Sequence, residues 1–287
     1  MSLVHTAAVP SLADNQPVVL IRPRTGWLSF DLEAVYRYRG LLYFLVWRDV
    51  LVRYKQAAIG IAWVVLQPLL TMVVFTVIFG LFAKLPSDGS PYPIFAFTAL
   101  LPWNYFAQAV SRSGISLVSN SNLISKVYFP RLIIPISGAL GPLIDFAVSF
   151  VILLGMMAWY RVAPTWGVLA LPFFTFLAVV TAVAVSLYLS ALNVRYRDVG
   201  QAIPFLIQFW MYASPIVYSL TIIPEKWRLL YSLNPMVGVI EGFRWALLGK
   251  ARPDFAVMAM GVVVASILLL GGLVYFKRTE RFFADII

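Results

Sequence analysis

Six stretches of the chain carry almost no charge, and the charged residues collect between them. The uncharged windows are 56–83, 89–111, 132–160, 162–194, 199–223 and 255–276, and Asp145 is the one ionisable acid or base inside them. The first window alone runs 28 residues without a formal charge. As α-helix that is about 42 Å, longer than the ~30 Å of a hydrocarbon core. The pattern predicts six spans, at about 58–83, 91–117, 132–160, 165–193, 200–222 and 254–276. The expected fold is an all-α integral membrane protein, with residues 1–35 as a loosely ordered tail and 36–287 as one transmembrane domain.

Just ahead of the first window the periodicity changes. Tyr43, Trp47, Val50, Leu51 and Tyr54 share one helical face, while Arg48, Asp49, Arg53 and Lys55 fall on the other. This predicts a basic amphipathic helix lying on the membrane surface and feeding into the first span. Between the second and third windows, residues 119–131 predict a short helix capped by Asn120, Ser121 or Asn122 and ended before Pro130. It would show Leu123, Ile124, Val127, Tyr128 and Phe129. Such an apolar surface either rests on lipid headgroups or meets a partner. The next loop on that side holds Arg195, Arg197 and Asp198, either as membrane-flanking charges or as contacts for a partner.

The segment between the fifth and sixth windows differs from an ordinary loop. Asn234-Pro235 predicts a helix start and Gly249 its end. The helix between them is too short to span, and Glu241 and Arg244 are spaced to pair. A re-entrant hairpin forming an external gate fits this pattern, as does a lid lying flat on the outer leaflet.

Composition removes several function classes. With 61% hydrophobic and only 12% charged residues, the chain carries about half the charge of a soluble domain. The net charge of +10 resides at the ends of apolar runs, so it reports topology rather than nucleic-acid binding. With the N-terminus inside, 15 of the 22 Lys and Arg residues face the cytoplasm, which predicts both termini there. There is no cysteine, and His5 in the tail is the only histidine, so thiol chemistry and cysteine metal sites are excluded and no metal is expected. No secretory leader is read in residues 1–40. The nearest approach to a P-loop, residues 242–250, has six residues between its glycines and no Ser or Thr after the Lys. No ATP site or catalytic residue is therefore expected in this chain.

Two features stay open at this level. Asp145 can bond across helices, bond to a dimer mate, or contact substrate. The aromatics Trp63, Phe75, Tyr105, Phe106, Phe209, Trp210 and Tyr212 suit sugar faces, or equally interfacial belts and packing. A glycosyltransferase would want acidic clusters at the membrane face, and a secondary transporter would want internal repeats with charged midplane groups. Neither pattern is found.

Residues 47–55 (WRDVLVRYK), Ile59-Gly60, and Trp63 through Gln67-Pro68 resemble the start of the type-2 ABC permeases that export polysaccharides. Residues 123–131 (LISKVYFPR) resemble that family's coupling helix. Residues 193–198 are similar to its second cytoplasmic contact, and Asn234-Pro235 through Gly249 to its external gate. The resemblance implies a homodimer in the bacterial inner membrane, bound to two ATP-binding cassette subunits that hold ATP and Mg. The cargo would be O-antigen, capsule or teichoic acid, commonly lipid-linked; export of a drug or lipid is the alternative. Leu123, Ile124, Lys126, Val127, Tyr128, Phe129, Arg131, Arg195, Arg197 and Asp198 would then meet the ATPase. Trp63, Phe75, Tyr105, Phe106, Phe209, Trp210 and Tyr212 would line the conduit. Tyr43, Trp47, Arg48 and Arg53 would border a lateral opening, and Asn234, Glu241 and Arg244 would form the gate.

Overall fold

The computed structural model describes residues 32–55, 60–249 and 254–283, and every regular element among them is helical. The expected tail up to residue 31, with His5, and Lys250 and Arg252 lie outside the described residues. In chain order the helices are α1 (Leu32–Arg37), α2 (Arg39–Lys55), α3 (Gly60–Phe75), α4 (Tyr92–Ser119), α5 (Ser121–Lys126) and α6 (Ile133–Leu140). They continue as α7 (Leu143–Trp159), α8 (Leu171–Arg195), α9 (Asp198–Tyr212), α10 (Glu225–Tyr231), α11 (Pro235–Leu248) and α12 (Phe255–Thr279).

Among the described residues, four segments are long and apolar enough to cross a membrane: Ala62–Phe82, Ile133–Trp159, Trp166–Arg195 and Phe255–Phe282. They answer to the first, third, fourth and sixth windows. The first continues beyond α3 as a wider π-type turn, Thr76–Phe82. The third bends at Gly141 and Pro142, which separate α6 from α7.

The second window becomes α4, whose 28 residues include Pro102. It is the hub of the molecule, packing on α3, α6, α7, α8, α9 and α11. Enclosure on all sides explains why α4 tolerates Thr98, Ser113 and Ser116 among its buried residues: each hydroxyl donates to a backbone carbonyl. Ser113 Oγ donates across to Pro135 O at 2.7 Å. Facing it, a Cβ on Gly138 would stand 3.1 Å from Ser113 Cα, so α4 and α6 meet backbone to backbone.

The fifth window departs most from the expectation. α9 stops at Tyr212 after 15 residues, about 22 Å, short of a hydrocarbon core. Pro215 biases Ser214 away from helix and offers no N–H, and the chain runs on irregularly to Ser219 before one 3-10 turn, Leu220–Ile222.

At the C-terminal end of α4, a second cluster unites Leu45 of α2, Leu117 of α4, Ile124 of α5, Phe129, Val194 of α8, and Phe276 and Phe283 beside the chain's end. The N-terminal surface helix, both short polar loops and the last helix thus meet at one pole. Tyr92 at the other end of α4 meets the irregular segment, donating to Val217 O at 2.6 Å.

Candidate functional site

The α5 pole divides the expected apolar foot in two. α5 is a single six-residue helix, and Val127 leaves it in extended backbone. Ile124 and Phe129 turn inward, the latter only 5% exposed, and brace the loop against the second cluster. Both were expected on the surface. They face inward because a loop bent sharply by Pro130 needs apolar anchors on each side of its tip. What remains outside is Lys126, Val127 and Tyr128, the last 74% exposed, with Leu123 half-buried. Arg131 is engaged at home, its guanidinium donating to Glu280 O. Arg195, Arg197 and Asp198 are exposed just beyond Val194 at the same pole. Asn120 holds the cap position without a capping bond. Its Nδ2 donates back to Ser116 O at 2.9 Å, and its Oδ1 accepts from Arg48 Nη2 at 3.0 Å, tying α2 to this loop.

α2 also departs from the simple amphipathic reading. Leu45 and Val50 bury against the protein, whereas Tyr43, Phe44, Trp47 and Leu51 point outward. Arg48 pairs with Asp49 at 2.8 Å. Arg53, expected on the solvent side with Lys55, swings inward and forms an ion pair with Asp145 of α7. Tyr54 donates its hydroxyl to the other carboxylate oxygen. Burial, reinforced by that bond, pushes the Tyr54 phenol up to about 12, so it remains a neutral donor at neutral pH. Of the readings left open for Asp145, the bond across helices is present within the chain.

The pair sits in the wall of a cavity of about 640 Å3 between the end of α2, α3, α4 and α7. Gln67, Asn104, Gln108, Ser111, Arg112 and Ser149 supply most of the polar lining. Asn104, Gln108 and Arg112 are spaced by four, one stripe along α4, and Asp145 and Ser149 repeat that spacing on α7. None of these except Asp145 was singled out from the sequence. The signal was available: a stripe of carboxamides and a cation at helical spacing inside an apolar span.

The aromatics expected to line a conduit have different fates. Phe106 is fully buried, Phe75 is 9% exposed, and both belong to the main core rather than to an open surface. Tyr105 is buried too, donating to Ala139 O at 3.1 Å, but it borders the cavity. Trp63 borders the cavity and is exposed at its rim. Phe209 and Tyr212 stand on the outer face of α9, while Trp210 turns back, its ring edge-on to Phe106 at 5.0 Å. The division follows from α9 packing along one side on α4: residues on that side are core by necessity.

At the α11 end, Asn234 is the expected helix cap. Its Oδ1 accepts from Met236 N–H at 3.0 Å and from Trp210 Nε1–H at 2.9 Å; its Nδ2 donates to Ala213 O and Ser214 Oγ. One side chain therefore caps α11 and also ends α9. Gly249 closes α11 in the left-handed region, φ +64°. Glu241 and Arg244 pair at 3.2 Å as their spacing predicts. Arg244 does more: buried, it donates to Ile216 O and Tyr218 O and lies over the Phe95 ring at 3.7 Å. The irregular segment after α9 thus finds its hydrogen bonds inside an apolar environment. Replacing Asn234 by Ala will destabilise the fold by about 1–2 kcal/mol, the cost of losing a side-chain cap, read as a lower midpoint of thermal unfolding in detergent.

Comparison with known proteins gives the family of the sequence. Residues 40–248 match the ABC-2 type transporter domain family. The chain is 30% identical to the O-antigen export system permease protein RfbA of Myxococcus xanthus, over 88% of this chain and 97% of that one. It is 27% identical to RfbA of Klebsiella pneumoniae, over 86% and 95%. It is 20% identical to the polysialic acid transport protein KpsM of Escherichia coli, over 81% and 91%.

Proposed function

Because this chain belongs to the ABC-2 type transporter family, we propose that it is the permease subunit of an ATP-driven polysaccharide exporter, with a lipid-linked glycan such as O-antigen as cargo. The observation that carries this reading is the end-to-end match to O-antigen permeases, which takes in the α2 helix, the α5 loop and α11 together. ATP hydrolysis belongs to a separate subunit, with ATP and Mg held there.

In this reading the protein is multi-pass in the bacterial inner membrane, with the α5 pole and both termini in the cytoplasm. The shared cluster of α2, α5 and the end of α12 supports their common side. Spans two and five are α4 and the broken element from α9 to Ile222, and the α10–α11 hairpin re-enters from outside. Lys126, Val127, Tyr128, Arg195, Arg197 and Asp198 form the contact for the ATPase. Ile124 and Phe129 stiffen it, so that a push on Tyr128 reaches α4 and α8. The apolar outer faces of α9 and α3, including Phe205, Phe209, Leu66 and Leu70, are exposed and await lipid or a second copy of the chain. A homodimer would enclose the conduit there, with Trp63, Phe209 and Tyr212 on its wall.

The purified permease should hydrolyse no ATP. Adding its ATP-binding cassette partner should restore hydrolysis, and a deletion strain should hold lipid-linked glycan on the inner leaflet. ATP hydrolysis by the permease alone, or normal surface glycan in the deletion strain, would sink the proposal. Tyr128→Ala should lower partner recovery in a pull-down about tenfold with an unchanged unfolding midpoint. Phe129→Ala, which empties a core site, should cost about 3–5 kcal/mol of stability first.

A further inference from the structure

The cavity beside Asp145 holds more positive charge than its surroundings neutralise. Its lining carries two guanidinium groups, Arg53 and Arg112, and one carboxylate, Asp145. Arg48 and Asp49 satisfy one another, and Asp145 is taken by Arg53 and Tyr54. Among the described residues, Arg112 makes no hydrogen bond or ion pair, and Arg53 keeps Nε and Nη2 buried without a partner. Buried N–H groups left without an acceptor favour a site that an anion can complete. The rest of the lining is partly polar: Gln67, Asn104, Gln108 and Ser149 offer donors and acceptors from α3, α4 and α7.

We infer that this cavity binds a phosphate ester, with Arg112 and the spare N–H groups of Arg53 on the phosphate oxygens and the carboxamides on neighbouring hydroxyls. Planar guanidinium groups suit this role because each presents paired donors to two oxygens at once. The Asp145 carboxylate already occupies part of the Arg53 fork, as an internal stand-in for the ligand. An arriving phosphate competes with Asp145 for Arg53 and loosens the tie between α2 and α7. Binding of the ester and release of the surface helix are therefore one event. The inference rests on the exporter reading for the source of the ester, the phosphate joining glycan to lipid, but the site itself rests on the cavity.

The test titrates the complete permease–ATPase complex in uncharged detergent with a short-chain prenyl diphosphate. The matching prenyl alcohol and inorganic pyrophosphate are run in parallel. The diphosphate should bind saturably, and Arg112→Gln should weaken it at least tenfold, with partial recovery in Arg112→Lys. Gln108→Leu, which leaves every charge in place, should weaken it severalfold. Equal affinity for inorganic pyrophosphate would keep the site and assign it to free phosphate. Unchanged binding in Arg112→Gln, or the alcohol binding as tightly as the diphosphate, would overturn the inference. A wild-type complex that binds the diphosphate but moves no glycan would instead overturn the exporter reading and leave the site standing.

Discussion

Replacing Arg244 by methionine will destabilise the folded chain by roughly 3–5 kcal/mol. The residue is 3% exposed and its guanidinium holds three acceptors: Ile216 O, Tyr218 O and Glu241. Methionine fills similar space but leaves two carbonyls and one carboxylate without their donor, away from water. Arg244→Lys should recover little, because one ammonium cannot reach acceptors spread over a fork and lie flat on Phe95 at the same time. Glu241→Gln should cost clearly less, since the two carbonyl bonds survive. Unfolding in detergent, followed by helical signal against denaturant, will rank the three variants. Near-native stability of Arg244→Met would mean that the segment from Ser214 to Ile222 finds its hydrogen bonds elsewhere.

The second large effect is expected at Asp145. Asp145→Ala strands Arg53 as a buried cation and removes the acceptor for Tyr54, at a cost of about 3–5 kcal/mol if the local structure holds. The chain has a cheaper response: α2 can withdraw and carry Arg53 to the interface. The measurable result is then exposure rather than unfolding. Because the protein has no cysteine, Val50→Cys supplies a single thiol on the buried side of α2. Its labelling rate by a water-soluble maleimide should rise at least tenfold when Asp145→Ala is added. A double-mutant cycle with Arg53→Gln should show coupling, the second change adding little to the first. Independent, additive effects would mean that the pair does not hold α2 in place.

These two residues also mark where sequence reasoning reached and where it stopped. The Glu241–Arg244 pair, the Asn234 cap and the Gly249 terminus were all legible because each depends on spacing within one helix or one turn. For the same reason the positions of α2 and α11 and the start of α5 followed from periodicity, caps and prolines, and α12 from its uncharged window. The two carbonyls held by Arg244, 26 and 28 residues away, were not legible, since nothing local records which carbonyls a broken helix leaves unpaired. Nor was the inward turn of Arg53. On a helical wheel it belongs with Lys55, and only the arrival of α7, 92 residues later in the chain, gives it a carboxylate.

The same boundary separates the aromatics. Phe106 and Phe209 look alike in sequence, both large rings in uncharged windows, yet one is fully buried and the other 68% exposed. Window 199–223 shows the boundary most plainly. Its composition matches a full span, but α9 ends after Tyr212 because Asn234, Trp210 and Arg244 make a broken element as well satisfied as a continuous one.

The sequence by itself determined that the chain is helical and apolar enough for a membrane, that it carries no P-loop motif, and where most of its helices begin and end. Those properties are sums or short-range periodicities, and hydrophobic burial and capping act on them residue by residue. Only the tertiary structure decided which of the basic residues face water, which of the aromatics are core, and that Asp145, Arg53 and Arg112 share one cavity. Those outcomes depend on which helix faces which, and a buried charge takes its partner from whatever element packing brings within reach.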